Sequence, residues 1–248
     1  MTYLFSKKRY IGRLKFVERK LDELPDMRLG THKGVRTVRY ISNGVRHEAN
    51  ENSTKWHKLY SYYEKRKELE EEYRTLCREF KAHFGEDYEK IKFDYDVLVD
   101  SQTPCTAQLW NELVDNECPV EKRDVYPFDN HVFRSRIEEQ AAVVIKSLNL
   151  PYKYDCGILR TRYTDFAILL EEYGCFVFWE ILGDMGNSSY INRTGDKFKE
   201  YSFSGYLVGR DVFFLGSTAN FMPNADVMKM NLILMINTIA EMYVVKIR

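Results

Sequence analysis

The chain has no CxxC pair. Its five cysteines, Cys77, Cys105, Cys118, Cys156 and Cys175, are odd in number and widely spaced. That excludes a disulfide framework and argues against a structural zinc site. Free thiols in a reducing cytoplasm are expected. The histidines, His32, His47, His57, His83 and His131, form no HxH or HxxxH set, so a histidine-based metal centre is not expected. GxSxG and GxGxxG are both missing, which removes the hydrolase nucleophile elbow and the dinucleotide fingerprint. No uncharged apolar run of about 18 residues occurs; even the stretch 228–245 carries Lys229, Asn231, Asn237 and Glu241. The opening MTYLFSKKRYIGRLKF has charge where a signal peptide needs an apolar segment. No membrane association and no secretory leader are expected.

What is present is enough to build a large core. Hydrophobic residues make up 44% of 248, with 18 Tyr and 15 Phe among them, well outside the disordered range. The length fits one large domain or a core domain with an appendage. Formal net charge is zero, yet unevenly spread. Residues 1–92 hold 22 Lys and Arg against 15 Asp and Glu; residues 93–248 hold 15 against 22. A basic front half suits an anionic polymer and an acidic back half suits cations. The plainer alternative is ordinary variation between helix surfaces.

Three regions follow from the pattern. Residues 1–92 form a basic N-terminal region. It begins with a helix over 6–23 carrying Ile11, Leu14, Val17 and Leu21 at helical spacing. A hairpin-like stretch over 28–48 has turn signals at Lys33-Gly34 and Asn43-Gly44. A long helix over 54–84, capped by Ser53 or Thr54 and stopped by Gly85, has one face marked by Leu69, Tyr73, Leu76 and Phe80. That helix is also the expected surface for a protein partner; a homodimer is a separate expectation with no surface assigned to it. Residues 93–130 read as a connecting segment with one short helix near 107–113. Residues 131–248 read as an α/β core: a helix over 134–148 with Ser135 as cap, strands over 152–158, 163–170 and 174–181, a helix over 188–203, a strand over 211–216 and a helix over 224–243.

Two of those strands each carry one carboxylate inside an apolar run: Asp165 in YTDFAIL and Glu180 in FVFWEI. If Glu172-Tyr173 forms the loop between them, residue i pairs with 345 minus i, and Asp165 lies opposite Glu180 on one face. Facing carboxylates repel unless a cation lies between them. A hard divalent cation, Mg²⁺ or Mn²⁺, suits such a pair; the alternative is that both acids point to solvent at the sheet end.

A helix bearing an acid, a strand bearing an aspartate and a hairpin to a strand bearing a glutamate resemble the PD-(D/E)XK nuclease superfamily. The sequences Arg134-Ser135-Arg136-Ile137-Glu138, Tyr163-Thr164-Asp165-Phe166 and Trp179-Glu180-Ile181-Leu182-Gly183 resemble more closely an uncharacterised nuclease-like family of Firmicutes and their phages. The resemblance implies a restriction-endonuclease-like core with a helical N-terminal extension, acting on DNA by Mg²⁺-dependent phosphodiester hydrolysis. It implies Glu138, Asp165 and Glu180 as the acidic site, with Asp165, Glu180 and the Ile181 carbonyl toward the metal and Glu139 as the fallback for Glu138. Three positions depart from the pattern: Thr164 replaces a proline, Ile181 a histidine, and Leu182 the lysine that usually follows the last acid by two residues. A lysine on the next helix can substitute in some branches. Lys197 and Lys199 are both there, about 200° apart on a helix; Lys197 falls beside the stripe Ile191, Phe198 and Tyr201 and is the expected catalytic amine.

Nucleic-acid contacts are expected from Arg9, Arg13, Lys55 and Lys58, with Trp56, Tyr60 and Tyr63 either stacking bases or forming the buried face of the long helix. Two alternatives stand beside the enzyme. One is a catalytically degenerate nuclease fold that binds nucleic acid or protein. The other is a helical-arm interaction protein, such as a phage-borne inhibitor.

Overall fold

The computed structural model describes residues 5–99, 103–117, 126–159 and 162–247. Seven α-helices and several small sheets among these residues make a mixed α/β protein. The chain divides into two compact units, residues 10–95 with 246–248, and residues 1–9 with 96–245. No described helix is long and apolar enough to cross a membrane. No disulfide joins the described cysteines, and Cys118 lies outside the described residues.

The unit containing residues 10–95 is built from α1 (Lys7–Glu23), a three-stranded meander of β1 (Met27–His32), β2 (Val35–Ser42) and β3 (Val45–Asn50), α2 (Trp56–Phe84) and a short α3 (Tyr88–Ile91). The stretch expected as one hairpin is two. Lys33-Gly34 and Asn43-Gly44 both turn with positive φ (50° and 78°, 50° and 72°), as a tight two-residue hairpin loop requires. Phe16 and Val17 of α1 pack on Leu69, with Tyr73 and Leu76 beside them. Gly85 closes α2 in the left-handed region at φ 68°. The start of α2 differs from expectation: its N-cap position is Lys55, with no side-chain cap. The helix is anchored there by packing, since Trp56 is buried against Met27 and Val38.

The other unit carries the sheet of interest. Short strands β4 (Tyr95–Val97), β5 (Tyr126–Phe128), β6 (His131–Phe133) and β11 (Val244–Lys246) and helix α4 (Ala107–Glu112) surround a run of α5 (Arg136–Ser147), β7 (Tyr152–Cys156), β8 (Thr164–Leu170), β9 (Cys175–Leu182), α6 (Ser188–Phe203), β10 (Val212–Gly216) and α7 (Ala225–Tyr243). The sheet order is β10-β9-β8-β7. β7, β8 and β9 are antiparallel neighbours, and β10 joins parallel to β9 after the α6 crossover. Every residue of β9 is buried, as expected of a strand covered on both faces. On one face Phe166 and Trp179 are register partners, and the Trp179 indole donates to Asn231 Oδ1 of α7 at 2.8 Å. On the other, Ala167, Phe176 and Phe178 pack with Tyr201 of α6 and Cys105. Ser135 caps α5 in a full capping box with Glu138.

Residues 115–117 fasten to the free edge of β7. Asn116 and Glu117 donate to the carbonyls of Tyr154 and Asp155, and the Tyr154 amide donates to Asp115 Oδ1 at 2.8 Å. His131 Nε2 lies 2.8 Å from Asp115 Oδ2. Its hydrogen bond to Asp115 raises the His131 pKa against the opposing effect of burial. Burial raises that of Asp115, but His131 and the Tyr154 amide outweigh it and lower it. The pair therefore stabilises most between the two unfolded pKa values, at about pH 4–6.5, and its histidine part is lost as pH rises through the raised value. Asp115 is partly exposed, so screening keeps the effect below about 1 kcal/mol. His131→Gln should lower the melting temperature more at about pH 5.5 than at about pH 8.5. A gap that is constant or widens with pH contradicts this account.

Candidate active site

β8 and β9 hold the two strand carboxylates at one level, a step beyond the last paired residues. Phe166 pairs with Trp179 and Ala167 with Phe178, so the pairing sum is 345, and continuing it one step places Asp165 opposite Glu180. The turn that sets this register is not a two-residue loop. Glu171–Tyr173 form a single 3-10 turn ended by Gly174 at φ 64°, which leaves the register unchanged because Leu170 still meets Cys175.

Glu180 is fully buried. Burial and then the charge of Asp165 push its pKa up to about 8, against the pull of Lys197. Tyr201 donates its hydroxyl to Glu180 Oε1, and Lys197 donates to Oε2. Both donors come from α6, one helical turn apart. Lys197 Nζ also lies 3.7 Å from Asp165 Oδ1. The other Asp165 oxygen, Oδ2, accepts the Ile181 amide at 2.8 Å, which fixes the carboxylate plane. Lys199, two residues on, is exposed and pairs with Asp196 at 3.0 Å. The stripe expected to set this phase is only partly buried: Tyr201 is enclosed, with Thr194 two turns before it, but Ile191 is 44% exposed.

Glu138 reaches the same place from α5. Its Oε2 accepts from the Arg134 and Ser135 amides, both at 3.1 Å, and from the Tyr154 hydroxyl at 2.8 Å. Capping acid and site acid are thus one residue. Burial and Asp165 raise its pKa, while Arg134, Tyr154 and Ser135 pull the other way. Glu139 does not line the cleft.

Two residues that the sequence reading passed over complete the cluster. Asp155 is fully buried and has φ 50°, a left-handed conformation that aspartate tolerates better than most residues. β7 pairs with β8 at a sum of 320, and the ladder breaks at Asp155, the position level with Asp165. Arg134 Nη2 binds Asp155 Oδ1 at 2.6 Å and lies 3.5 Å from Asp165 Oδ1 and 3.8 Å from Glu138 Oε1. Nothing in the sequence marks the left-handed turn at Asp155, while Arg134 opens the Arg134–Glu138 motif without a role being assigned to it there.

The cluster floors an open cleft of about 450 Å³. Arg134, Arg162, Arg193 and Lys197 line it together with Glu138, Asp165 and Glu180, so four cations and three carboxylates share one hollow. The Tyr190 hydroxyl accepts the Gly183 amide at 2.8 Å at its rim, and Ile181 and Leu182 also line it.

The cations expected to hold nucleic acid fare differently. Arg9 is paired with the buried Glu172, and Arg13 with Glu72 through two contacts of 2.6 and 3.2 Å. Their guanidiniums are engaged by carboxylates. Lys55 and Lys58 are exposed. Trp56 belongs to a core cluster, with Tyr60 and Tyr63 packed against it, so Trp56 is not a stacking platform. Comparisons with protein-family models, with curated proteins and with solved structures each found no match.

Proposed function

We propose that the cleft hydrolyses phosphodiester bonds of nucleic acid, DNA being the expected substrate, through a PD-(D/E)XK-type acidic site that uses Mg²⁺ or Mn²⁺. The observation that carries the reading is the convergence of Asp165, Glu180 and Lys197 from two strands and the following helix on one open cleft. The helix–three-strand–helix–strand order agrees with it.

The donor chemistry fits the metal. Among the described residues, no three His, Cys, Asp or Glu groups are arranged as a metal site by themselves. Mg²⁺ needs fewer, since it is commonly held by one or two carboxylates with the remaining positions left to water and substrate phosphate. Asp165 and Glu180 would hold it, with the Ile181 carbonyl as a further oxygen. When bound, the ion supplies Lewis-acid polarisation of a phosphoryl oxygen and a lowered water pKa. The chain's own groups do the rest. Lys197 places a fixed ammonium where negative charge accumulates on the phosphoryl oxygens. Tyr201 holds the Glu180 rotamer. Glu138, raised in pKa and held in a polar nest, accepts a proton from water at the cleft floor. Arg193 lines the cleft as a grip for the substrate backbone, with Arg162 beside it held by Glu200 at 3.1 Å.

Melting curves with and without Mn²⁺ test the metal. Binding to the folded state at about a hundred times Kd adds roughly 2.7 kcal/mol, so wild type should shift upward and Asp165→Asn should not. Equal shifts in the two proteins remove the two-carboxylate site. Purified protein that cuts neither single- nor double-stranded substrates with either ion supports the degenerate, binding-only alternative.

A further inference from the structure

The β1–β3 meander has an inward face and an outward face. Met27 and Val38 point inward to Trp56. Strand alternation therefore puts Arg28, Arg39 and Ile41 on the opposite face. Arg28 is the direct register partner of Arg39, and Arg46 is that of Ile41. All four side chains are exposed, Ile41 by 71%. Two arginines directly opposite each other destabilise a sheet, and no acid is within ion-pair distance of them among the described residues: Glu48, across from Arg39, is held by Arg46, and Asp26, which lines the same hollow, is in no ion pair. Among the described residues neither Arg28 nor Arg39 is in an ion pair. Arg36, which points to the other face, is by contrast neutralised by Glu51 and lies against Trp56.

The local backbone is shaped for this arrangement. A Cβ on Gly30 would lie 2.6 Å from Arg39 Nη2, so glycine there lets the guanidinium lie along the sheet. Arg28, Arg39, Arg46, Tyr40, Ile41 and Asp26 enclose a hollow of about 330 Å³. The adjacent Asn43-Gly44 turn carries Val45, 58% exposed, so an apolar tip stands next to the arginines.

We propose that this outward face is a second anion-binding surface, separate from the cleft, that takes the phosphate backbone of nucleic acid. Guanidinium forks match phosphate oxygens bidentately. Arg28 and Arg39 on neighbouring strands, with the Glu48-paired Arg46 beside them, suit a repeating polyanion better than one small anion, and a twisted antiparallel ribbon is a shape that DNA grooves accept. Exposed Ile41 and Val45 offer apolar contact to sugars or base edges. The proposal goes beyond the hydrolytic reading and does not need the cleft to be active.

The test is binding of the full chain to a labelled mixed-sequence DNA duplex, with chelator present to prevent cutting, over a series of salt concentrations. Each phosphate contact contributes about 0.9 to the slope of log affinity against log salt. Arg28→Gln/Arg39→Gln should flatten the slope by about two and weaken binding at low salt; Arg39→Gln alone should flatten it by about one. Neither variant should melt below wild type, since a like-charge pair is relieved. An unchanged slope in both variants overturns the proposal. Equal arginine-dependent binding of polyglutamate also overturns it, in favour of an acidic protein partner. Cleavage of the same duplex with Mn²⁺, scored separately, reports on the cleft alone.

Discussion

Lys197→Ala is expected to reduce metal-dependent cleavage by about a hundredfold or more, the scale for losing one charge-stabilising group, while Lys199→Ala leaves it within about twofold. The two lysines differ by 200° of helix turn, and the structure gives that angle a consequence. Lys197 is mostly enclosed, bonded to Glu180 and 3.7 Å from Asp165. Burial lowers its pKa, but Asp165 and Glu180 outweigh burial and raise it, so the amine stays charged where charge is needed. Lys199 is 68% exposed in its side chain and faces water. Because Lys197→Ala also strips a counter-ion from Glu180, melting curves and Mn²⁺ binding must accompany the rates. A variant that folds, binds Mn²⁺ and still cuts at the wild-type rate removes Lys197 from the mechanism. Tyr201→Phe should have a smaller effect, since it frees one Glu180 oxygen and leaves the ammonium in place.

The parts of this arrangement that were legible in the sequence are those governed by local periodicity. Two apolar strands with a short connection allow few registers; a loop at Glu172-Tyr173 gives the sum of 345, and the 3-10 turn found over Glu171–Tyr173 keeps it. The helix between Asn187 and Gly205 is bounded by a capping Asn and a glycine at φ 85°, and within it Lys197 and Tyr201, four residues apart, share one face. Long-range charge pairing is not marked in this way. Arg9 and Glu172 are 163 positions apart and Arg13 and Glu72 are 59 apart, and no periodicity distinguishes a paired arginine from one facing solvent. Asp155 was illegible for a related reason. Its positive φ interrupts the β7 ladder, which strand periodicity does not foresee. Arg36 and Arg39 make the same point on the meander: three residues apart in one strand, they take opposite faces, and only the three-strand register tells which has an acid beside it.

Arg134→Met is expected to destabilise the protein by about 3–5 kcal/mol near neutral pH, the range for removing one partner of a buried charge network. The guanidinium serves three carboxylates at once, Asp155 at 2.6 Å, Asp165 at 3.5 Å and Glu138 at 3.8 Å, all of them buried. A methionine fills similar volume but leaves those charges facing each other with Lys197 as their remaining nearby cation, and Lys197 is occupied by Glu180. The pH dependence has a definite sign. Burial and Asp165 already raise the Glu138 pKa while Arg134 holds it down, so loss of Arg134 raises it further. A carboxyl group with a raised folded pKa is most unfavourable when ionised, above that value, and the penalty shrinks as pH falls toward the ordinary carboxylate range. Urea denaturation of wild type and Arg134→Met in chelator should therefore show a gap that is large at about pH 7.5 and narrower at about pH 5. Arg134→Lys, which keeps the charge but loses the planar fork, should recover part of the loss at both pH values, because a point charge can approach one carboxylate well but not three. A gap under about 1 kcal/mol at pH 7.5, or one that widens on acidification, would show that the guanidinium is not what holds these acids together.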